Sequence, residues 1–121
     1  MLTIDYRSGQ PIYEQIRDRL REYIVSGALK EDEKMPSVRT LASQLAVNPN
    51  TIQRAYRELE SEGYLYSVAG KGNFVSRSPD ADRQRIEKLK ADVVKLLKEL
   101  RQLGADEEEI LKLLREENGD D

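Results

Sequence analysis

Hydrophobic residues recur along most of this chain at the three- and four-residue spacing that places them on one face of a helix. The first such segment begins at Pro11 and ends at Gly27, a residue suited to the left-handed position just past a helix end. Its apolar positions lie four residues apart and are Ile12, Ile16, Leu20 and Ile24. This segment predicts a supporting core helix. Before it, residues 2–5 alternate between apolar and polar, which predicts a short strand.

Two further amphipathic segments follow, and only residues 46–48 connect them. The first has Ser37 as its expected N-cap and apolar residues at Val38, Leu41, Ala42 and Leu45. The second covers residues 48–62, with Asn48 as N-cap, Pro49 in the first turn and Gly63 at its end. Two short helices joined this tightly predict a helix-turn-helix, whose second helix enters the major groove of DNA. The alternative is an ordinary helical hairpin of another small α domain.

The second of these helices has two chemically different sides. Its apolar residues fall on one narrow side and are Ile52, Ala55, Tyr56 and Leu59. The opposite side carries amide and guanidinium groups, the side chains that pair with adenine and guanine edges; they are Asn50, Gln53, Arg54 and Arg57. The acidic residues Glu58, Glu60 and Glu62 are expected at the sides or back of this exposed face. An ordinary solvated helix surface has a similar pattern, so the neighbouring elements decide the interpretation.

After Gly63, two β-forming segments flank a glycine-rich turn. They cover residues 64–68 and 74–76, and this pattern predicts a hairpin. Placed directly after a helix-turn-helix, the hairpin is interpreted as the wing of a winged helix. Gly70 and Gly72 let the backbone approach a partner closely, and Lys71 between them offers a contact to phosphate or to the minor groove.

The last third of the chain is a second helical region, which follows a predicted hinge at residues 78–80. Gly104 ends its first helix and Asp106 caps its second. Its candidate dimerisation residues form an apolar stripe and are Ile86, Leu89, Val93, Leu96, Leu97, Leu100, Leu103, Ile110 and Leu114. A helical hairpin of this size cannot bury such a stripe alone. It must pack on its own winged domain or on another copy, and we favour the copy.

Composition narrows the function classes. The chain has neither Cys nor His, so it lacks disulfides, thiolate metal sites and the commonest general base, and we expect no catalytic residue, metal or cofactor. No apolar run approaches the roughly 20 residues that span a bilayer, and no signal-peptide pattern opens the chain, which predicts a cytoplasmic protein with no membrane partner. The net charge of −3 belongs to the tail, because residues 1–78 carry 11 basic and 10 acidic side chains whereas residues 79–121 carry 9 and 13. Within the first part, residues 34–77 carry six basic and three acidic side chains. That modestly basic stretch is compatible with DNA.

These patterns together predict a mainly α protein of the α+β winged-helix type. Residues 1–78 would form an N-terminal winged helix-turn-helix DNA-binding domain. Residues 79–121 would form a C-terminal two-helix dimerisation hairpin.

The chain resembles the GntR-type bacterial transcription regulators, and within them the short YtrA-like branch. The matching motifs are PIYEQI at 11–16, MPSVRTLA at 35–42, VNPNT at 47–51, AY at 55–56, LE at 59–60, EG at 62–63 and GKGNFV at 70–75. The resemblance implies a winged helix-turn-helix that binds a double-stranded DNA operator as a homodimer, usually for repression. The YtrA-like branch further implies an operon for a membrane transporter as the target.

The resemblance also implies roles for individual residues. Arg39 matches the helix-2 arginine that family members place against DNA, and Lys71 with its flanking glycines matches the wing tip. Ser37, the N-cap of the same helix, is a further candidate DNA contact. Asn50, Thr51 and Gln53 match positions that touch bases or phosphates. Many relatives have basic residues in place of Pro49 and Gln53, so their base preferences do not transfer to this chain.

The leading hypothesis is therefore a dimeric, sequence-specific regulator. A winged-helix protein-interaction module without sequence-specific DNA binding is the alternative from another class. An enzyme is a distant third, because no nucleophile and base are arranged together. A small-molecule effector would have its place in the groove between two subunits, although no residue pattern identifies such a ligand.

Overall fold

In a computed structural model that describes residues 2–118, five helices and a two-stranded sheet form in the predicted order. The chain divides into two compact units, the first ending at Arg83 and the second beginning at Gln84. The elements are α1 (Ile12–Ser26), α2 (Val38–Leu45), α3 (Pro49–Ser61), β1 (Leu65–Val68), β2 (Gly72–Val75), α4 (Pro79–Gln102) and α5 (Glu107–Glu117).

The helices begin where side chains cap free backbone N–H groups. Ser37 Oγ accepts a hydrogen bond from the Thr40 amide at 3.1 Å, and Asn48 Oδ1 accepts one from the Asn50 amide at 2.8 Å. Asp106 caps α5 in the same way. The predicted starts of α2, α3 and α5 are therefore confirmed, because each cap satisfies donors that have no partner inside the helix.

One hydrophobic core lies in the first unit, between α1, α2, α3 and the hairpin. The four apolar residues predicted for α3 are at most 1% exposed, and Ile16 and Ile24 of α1 are at most 2% exposed. The Tyr56 hydroxyl donates to the Pro36 carbonyl at 2.8 Å, which fixes α3 to the residue before the N-cap of α2. Burial raises the pKa of Tyr56, so this hydroxyl stays a donor at neutral pH.

The hairpin has the expected antiparallel pairing, with Leu65 opposite Val75 and Val68 opposite Gly72. Its other edge is covered by the loop after α1. The Met35 amide donates to the Asn73 carbonyl at 2.8 Å, and the Val75 amide donates to the Glu33 carbonyl at 2.9 Å. The loop therefore pairs along β2, so this edge of the hairpin is not left open.

Residues 2–5 do not form the predicted strand. Leu2 and Ile4 nevertheless pack against the core. The Asp5 amide donates to the side chain of Gln15 at 2.9 Å, and the Gln15 amide nitrogen donates back to the Asp5 carbonyl at 3.0 Å. An α1 side chain thus takes the place of a neighbouring strand as the hydrogen-bond partner.

The predicted hinge at residues 78–80 is instead the beginning of α4. Ala81 is only 4% exposed, and a Cβ placed on Gly63 would lie 3.1 Å from the Ala81 Cβ. Asp82 accepts a hydrogen bond from the Tyr64 hydroxyl at 3.0 Å and pairs with Arg77 at 3.0 Å. The first turn of α4 is therefore part of the first unit.

The second unit, by contrast, contains no buried residue among those described from Gln84 to Asn118. Leu97, Leu100 and Ile110 are half-buried, and Arg101 forms an ion pair with Glu107 near the joint of α4 and α5. The remaining large apolar side chains are 43–77% exposed and are Ile86, Leu89, Val93, Val94, Leu96, Leu103, Leu111, Leu113 and Leu114. The amphipathic helices predicted from the sequence are thus formed, and most of their large apolar side chains remain exposed among the described residues.

We expect Leu59→Ala to lower the free energy of unfolding by about 2–5 kcal/mol, because it empties a fully buried leucine site beneath α3. Gln53→Ala on the exposed side of the same helix serves as the control and should change it by less than about 0.5 kcal/mol. Urea unfolding of both variants measures the difference. Equal stability of the Leu59 variant and the wild type would contradict the orientation of α3.

Candidate nucleic-acid interface

The exposed side of α3 presents an unbroken polar surface. Asn50, Gln53 and Arg57 are all exposed, whereas Thr51 is half-buried. Asn50 lies in the first turn of the helix. Its backbone N–H donates to the capping side chain of Asn48, and its own side chain is exposed to solvent. The helix therefore displays amide and guanidinium groups that can pair with base edges.

The start of α2 supplies a second exposed group. Ser37 caps the helix, and its hydroxyl also donates to Thr40 Oγ1 at 2.8 Å. Arg39 follows in the first turn and is exposed. The hydrogen bond from Tyr56 to the Pro36 carbonyl ties this helix start to α3, so Arg39 is carried by a segment anchored in the core.

The tip of the hairpin is the third element. The Lys71 amide donates to the Val68 carbonyl at 2.9 Å, which closes the turn, and the Lys71 side chain is exposed. Gly70 and Gly72 have φ values of 74° and 111°, in the region that side chains with a Cβ rarely adopt. Glycine at these positions is therefore required by the shape of the turn itself.

Arg54 differs from the other predicted residues, because protein side chains already hold it. Its guanidinium carbon lies 3.7 Å from the centre of the Tyr13 ring, and its Nε lies 3.4 Å from a carboxylate oxygen of Glu58. Its side chain nevertheless remains 56% exposed. Tyr13 was not predicted to be part of this surface, because no local sequence pattern relates a residue of α1 to a residue of α3.

The acidic residues of α3 also have a role that the sequence did not indicate. Glu58 and Glu62 are half-buried, rather than lying at the back of an exposed face, and both bind α1. Glu58 pairs with Arg17 at 2.6 Å, and Glu62 accepts two bonds of 2.8 Å from Arg21, which is only 7% exposed. These two ion pairs, here called the α1–α3 seam, fix α3 against α1.

Asp18 of α1 extends the seam. It accepts bonds from Arg17 at 2.9 Å and from Arg21 at 3.1 Å. Burial alone would raise the pKa of Asp18, but the hydrogen bond and the positive charge of Arg17 outweigh it and hold the pKa below its usual range. For Arg17, burial alone would lower the pKa, and the bonds to Glu58 and Asp18 raise it instead. Both groups are therefore charged at neutral pH.

Within the part of the chain that the structure describes, no cluster of acidic side chains could hold a metal ion. None of the described helices combines the length and the apolar character needed to cross a membrane.

The segment that carries this surface matches a known protein family. The model of bacterial regulatory proteins of the gntR family matches residues 12–75, which contain α1, α2, α3 and the hairpin. The HTH-type transcriptional repressor YtrA of Bacillus subtilis is 45% identical over 78 residues, which are 64% of this chain and 60% of that protein. The chain thus matches less than two thirds of the length of this relative.

Two solved structures are also similar to this chain. One covers nearly the whole chain, and the other was solved in complex with DNA. A transcriptional antiterminator from Listeria monocytogenes has 38% identity and a TM-score of 0.77, over 98% of this chain and 90% of that one. The DNA-binding domain of AraR, solved in complex with operator ORE1, has 33% identity and a TM-score of 0.54, over 63% of this chain and 93% of that one.

We expect Glu62→Ala to destabilise the first unit by about 1–3 kcal/mol, because it leaves the guanidinium of the buried Arg21 with fewer partners. Glu22→Ala is the matched control, since Glu22 is exposed and pairs with Arg19 only at 3.6 Å on the surface of α1. That control should change stability by less than about 0.5 kcal/mol. Thermal unfolding of both variants measures the effect, and equal losses would show that the seam adds nothing beyond an ordinary surface pair.

Proposed function

The chain belongs to the gntR family of bacterial regulatory proteins, and from that premise we propose that it is a homodimeric repressor of transcription that binds a pseudo-palindromic DNA operator in the cytoplasm. The family and the relatives found are transcription regulators rather than enzymes. The observation that carries the proposal is the exposed polar side of α3. It presents Asn50, Gln53 and Arg57 on a helix whose other side is fully buried.

The assignment of residues to DNA follows from their chemistry. Asn50 and Gln53 carry amides, which pair with adenine in bidentate fashion, and we assign them to base contacts in the major groove. Thr51 and Arg57 flank them on α3. Ser37 and Arg39 at the start of α2, and Lys71 between Gly70 and Gly72 at the wing tip, are assigned to the phosphate backbone and the minor groove.

The second unit supports the homodimer. None of its described residues is buried, so its two helices form no core of their own. Many of its apolar side chains, among them Val93 and Leu96 at 53% and 59% exposure, are not covered by any of the residues that the structure describes. A second copy supplies an identical stripe, and the symmetric arrangement closes on itself.

The charges of α4 and α5 also support the homodimer. Between Arg85 and Gln102, α4 carries six basic and three acidic residues, whereas α5 carries two basic and five acidic ones. The two helices therefore have net charges of opposite sign. Packing of α5 from one copy against α4 of the other brings these charges together, which favours the correct partner and register.

A symmetric dimer would present two α3 helices to the same face of the duplex. Half-sites are then expected about one helical turn apart, or a multiple of it, which is roughly 10 base pairs per turn. Selection of bound sequences from random DNA would define the operator. Its position in the source genome would test the transporter operon that the YtrA-like resemblance implies.

Asn50→Ala and Gln53→Ala should each change which base pairs the protein tolerates, at a cost of about 1–3 kcal/mol per lost bidentate contact. Lys71→Ala should weaken binding to all sequences alike and reduce the slope of log affinity against log salt by about 1. Fluorescence-anisotropy titrations across salt concentrations and operator variants measure both effects.

The reverse pattern would contradict these roles, with base preference altered by the Lys71 variant and untouched by the other two. Sequence-independent binding by the wild type would reject the repressor proposal. Absence of any DNA binding would favour the protein-interaction module.

Replacing Val93 and Leu96 together by Glu should convert the dimer to a monomer, because four buried charges would face one another across the twofold axis. This variant should bind a full operator hardly better than a half-site, since the second α3 is no longer tethered. Sedimentation velocity and titration of the full-length chain measure both consequences.

Lys95→Glu is the matched control, because it changes charge on the side of α4 away from the stripe and should remain dimeric. A fragment ending at Arg83 gives an independent comparison and keeps the contact of Ala81 with the core, which an end at Ser78 would remove. A monomeric wild type, or a dimeric Val93/Leu96 variant, would show that the tail has another role.

A further inference from the structure

The guanidinium of Arg54 is fixed in place by two contacts, yet part of it remains free. Its planar face lies against the Tyr13 ring, 3.7 Å from carbon to ring centre, and its Nε faces Glu58 at 3.4 Å. The two terminal nitrogens of Arg54 have no hydrogen-bond partner among the described residues, and 56% of the side chain is exposed. The contacts occupy the face and the inner edge of the group and leave its outer edge available.

Both groups that hold Arg54 are themselves held by α1. Tyr13 lies in the first turn of α1, is half-buried, and its hydroxyl donates to Glu14 at 3.2 Å. Glu58 is pinned by Arg17 at 2.6 Å, and Arg17 also lies 5.9 Å from the centre of the Tyr13 ring. The cation therefore rests in a cradle formed by Tyr13 of α1 and Glu58 of α3, and Arg17 of α1 holds Glu58 in place.

The cradle lies beside the first turn of α3. A shallow depression of about 350 Å³ is lined by Ile12, Tyr13, Asn50, Thr51 and Arg54. Arg54 follows Asn50 by four residues, so the two side chains lie on the same side of the helix. The free edge of the guanidinium is thus next to the amide that we assign to base contact.

We propose that Tyr13 is a positioning residue for sequence recognition, which together with Glu58 holds Arg54 so that its terminal nitrogens contact a guanine beside the base read by Asn50. This inference rests on the proposed DNA-binding function. An arginine edge matches the O6 and N7 acceptors of guanine in bidentate fashion. A free arginine loses much side-chain entropy on binding, and the cradle removes most of that loss before DNA arrives, which is equivalent to about a two- to tenfold gain in affinity.

The test selects bound sequences from random DNA with the full-length chain and its Arg54→Ala, Tyr13→Leu and Tyr13→Phe variants. Arg54→Ala should lose the preference for one G·C pair in each half-site. Tyr13→Leu should relax the preference at that same pair and weaken operator binding about two- to tenfold, because the aromatic platform is gone. Tyr13→Phe keeps the ring and should retain both the preference and the affinity.

Two further measurements separate positioning from a merely structural role. The Tyr13→Leu/Arg54→Ala double variant should bind no more weakly than Arg54→Ala alone, since the ring acts through the arginine. Tyr23→Leu is the matched control, because Tyr23 also lies on α1 and packs against the core. It should lower stability without changing the preference at the G·C pair.

The inference is overturned if Tyr13→Leu leaves the base preference unchanged, or if it raises affinity, which would show that the ring withholds Arg54 from DNA. Additive losses in the double variant would overturn it as well. Selection of no sequence by the wild type would instead reject the proposed function, and this inference with it, so the two failures are distinguishable.

Discussion

The buried side of α3 is the constraint on which the rest of the first unit depends. Ile52, Ala55 and Leu59 are completely buried, and Tyr56 adds a hydrogen bond to Pro36, just before the N-cap of α2. Because a helix has a fixed angle between successive residues, placing these side chains in the core also determines which residues face outward. Packing thereby orients the polar side of α3, and no separate device is needed to expose Asn50 and Gln53.

The α1–α3 seam adds a second level of control to the same helix. Apolar packing fixes which side of α3 is buried, but it tolerates small rotations and shifts along the helix axis. The two-pronged contact of Arg21 with Glu62 has strict geometry, since a planar guanidinium must meet both carboxylate oxygens. Buried ion pairs are a poor source of net stability, and their better-attested contribution is to select one arrangement. A recognition helix benefits from that selection because base contacts require fixed positions.

The two units use the same amphipathic pattern with different results. In the first, α1, α2, α3 and the hairpin cover one another's apolar sides and form a core. In the second, α4 and α5 leave most of their apolar residues exposed, with Leu103 at 77%. Periodicity specifies that a helix has an apolar side, but whether another part of the same chain covers that side depends on how many elements are available. The two helices described in the tail leave this side exposed, which is why we assign its cover to a second copy.

The sequence alone determined the local structure, since caps, glycines and periodicity act within a few residues of each other. Ser37, Asn48 and Asp106 mark the helix starts, and Ile52 to Leu59 mark the buried side of α3, as the structure bears out. Only the tertiary structure showed that residues 2–5 are held by a side chain of α1, that the first turn of α4 belongs to the core, and that Glu58, Glu62 and Arg54 are bound to α1. Those contacts join residues between 10 and 41 positions apart. Pairing over such distances is decided by how the elements pack, and no periodic or local pattern in a single chain records it.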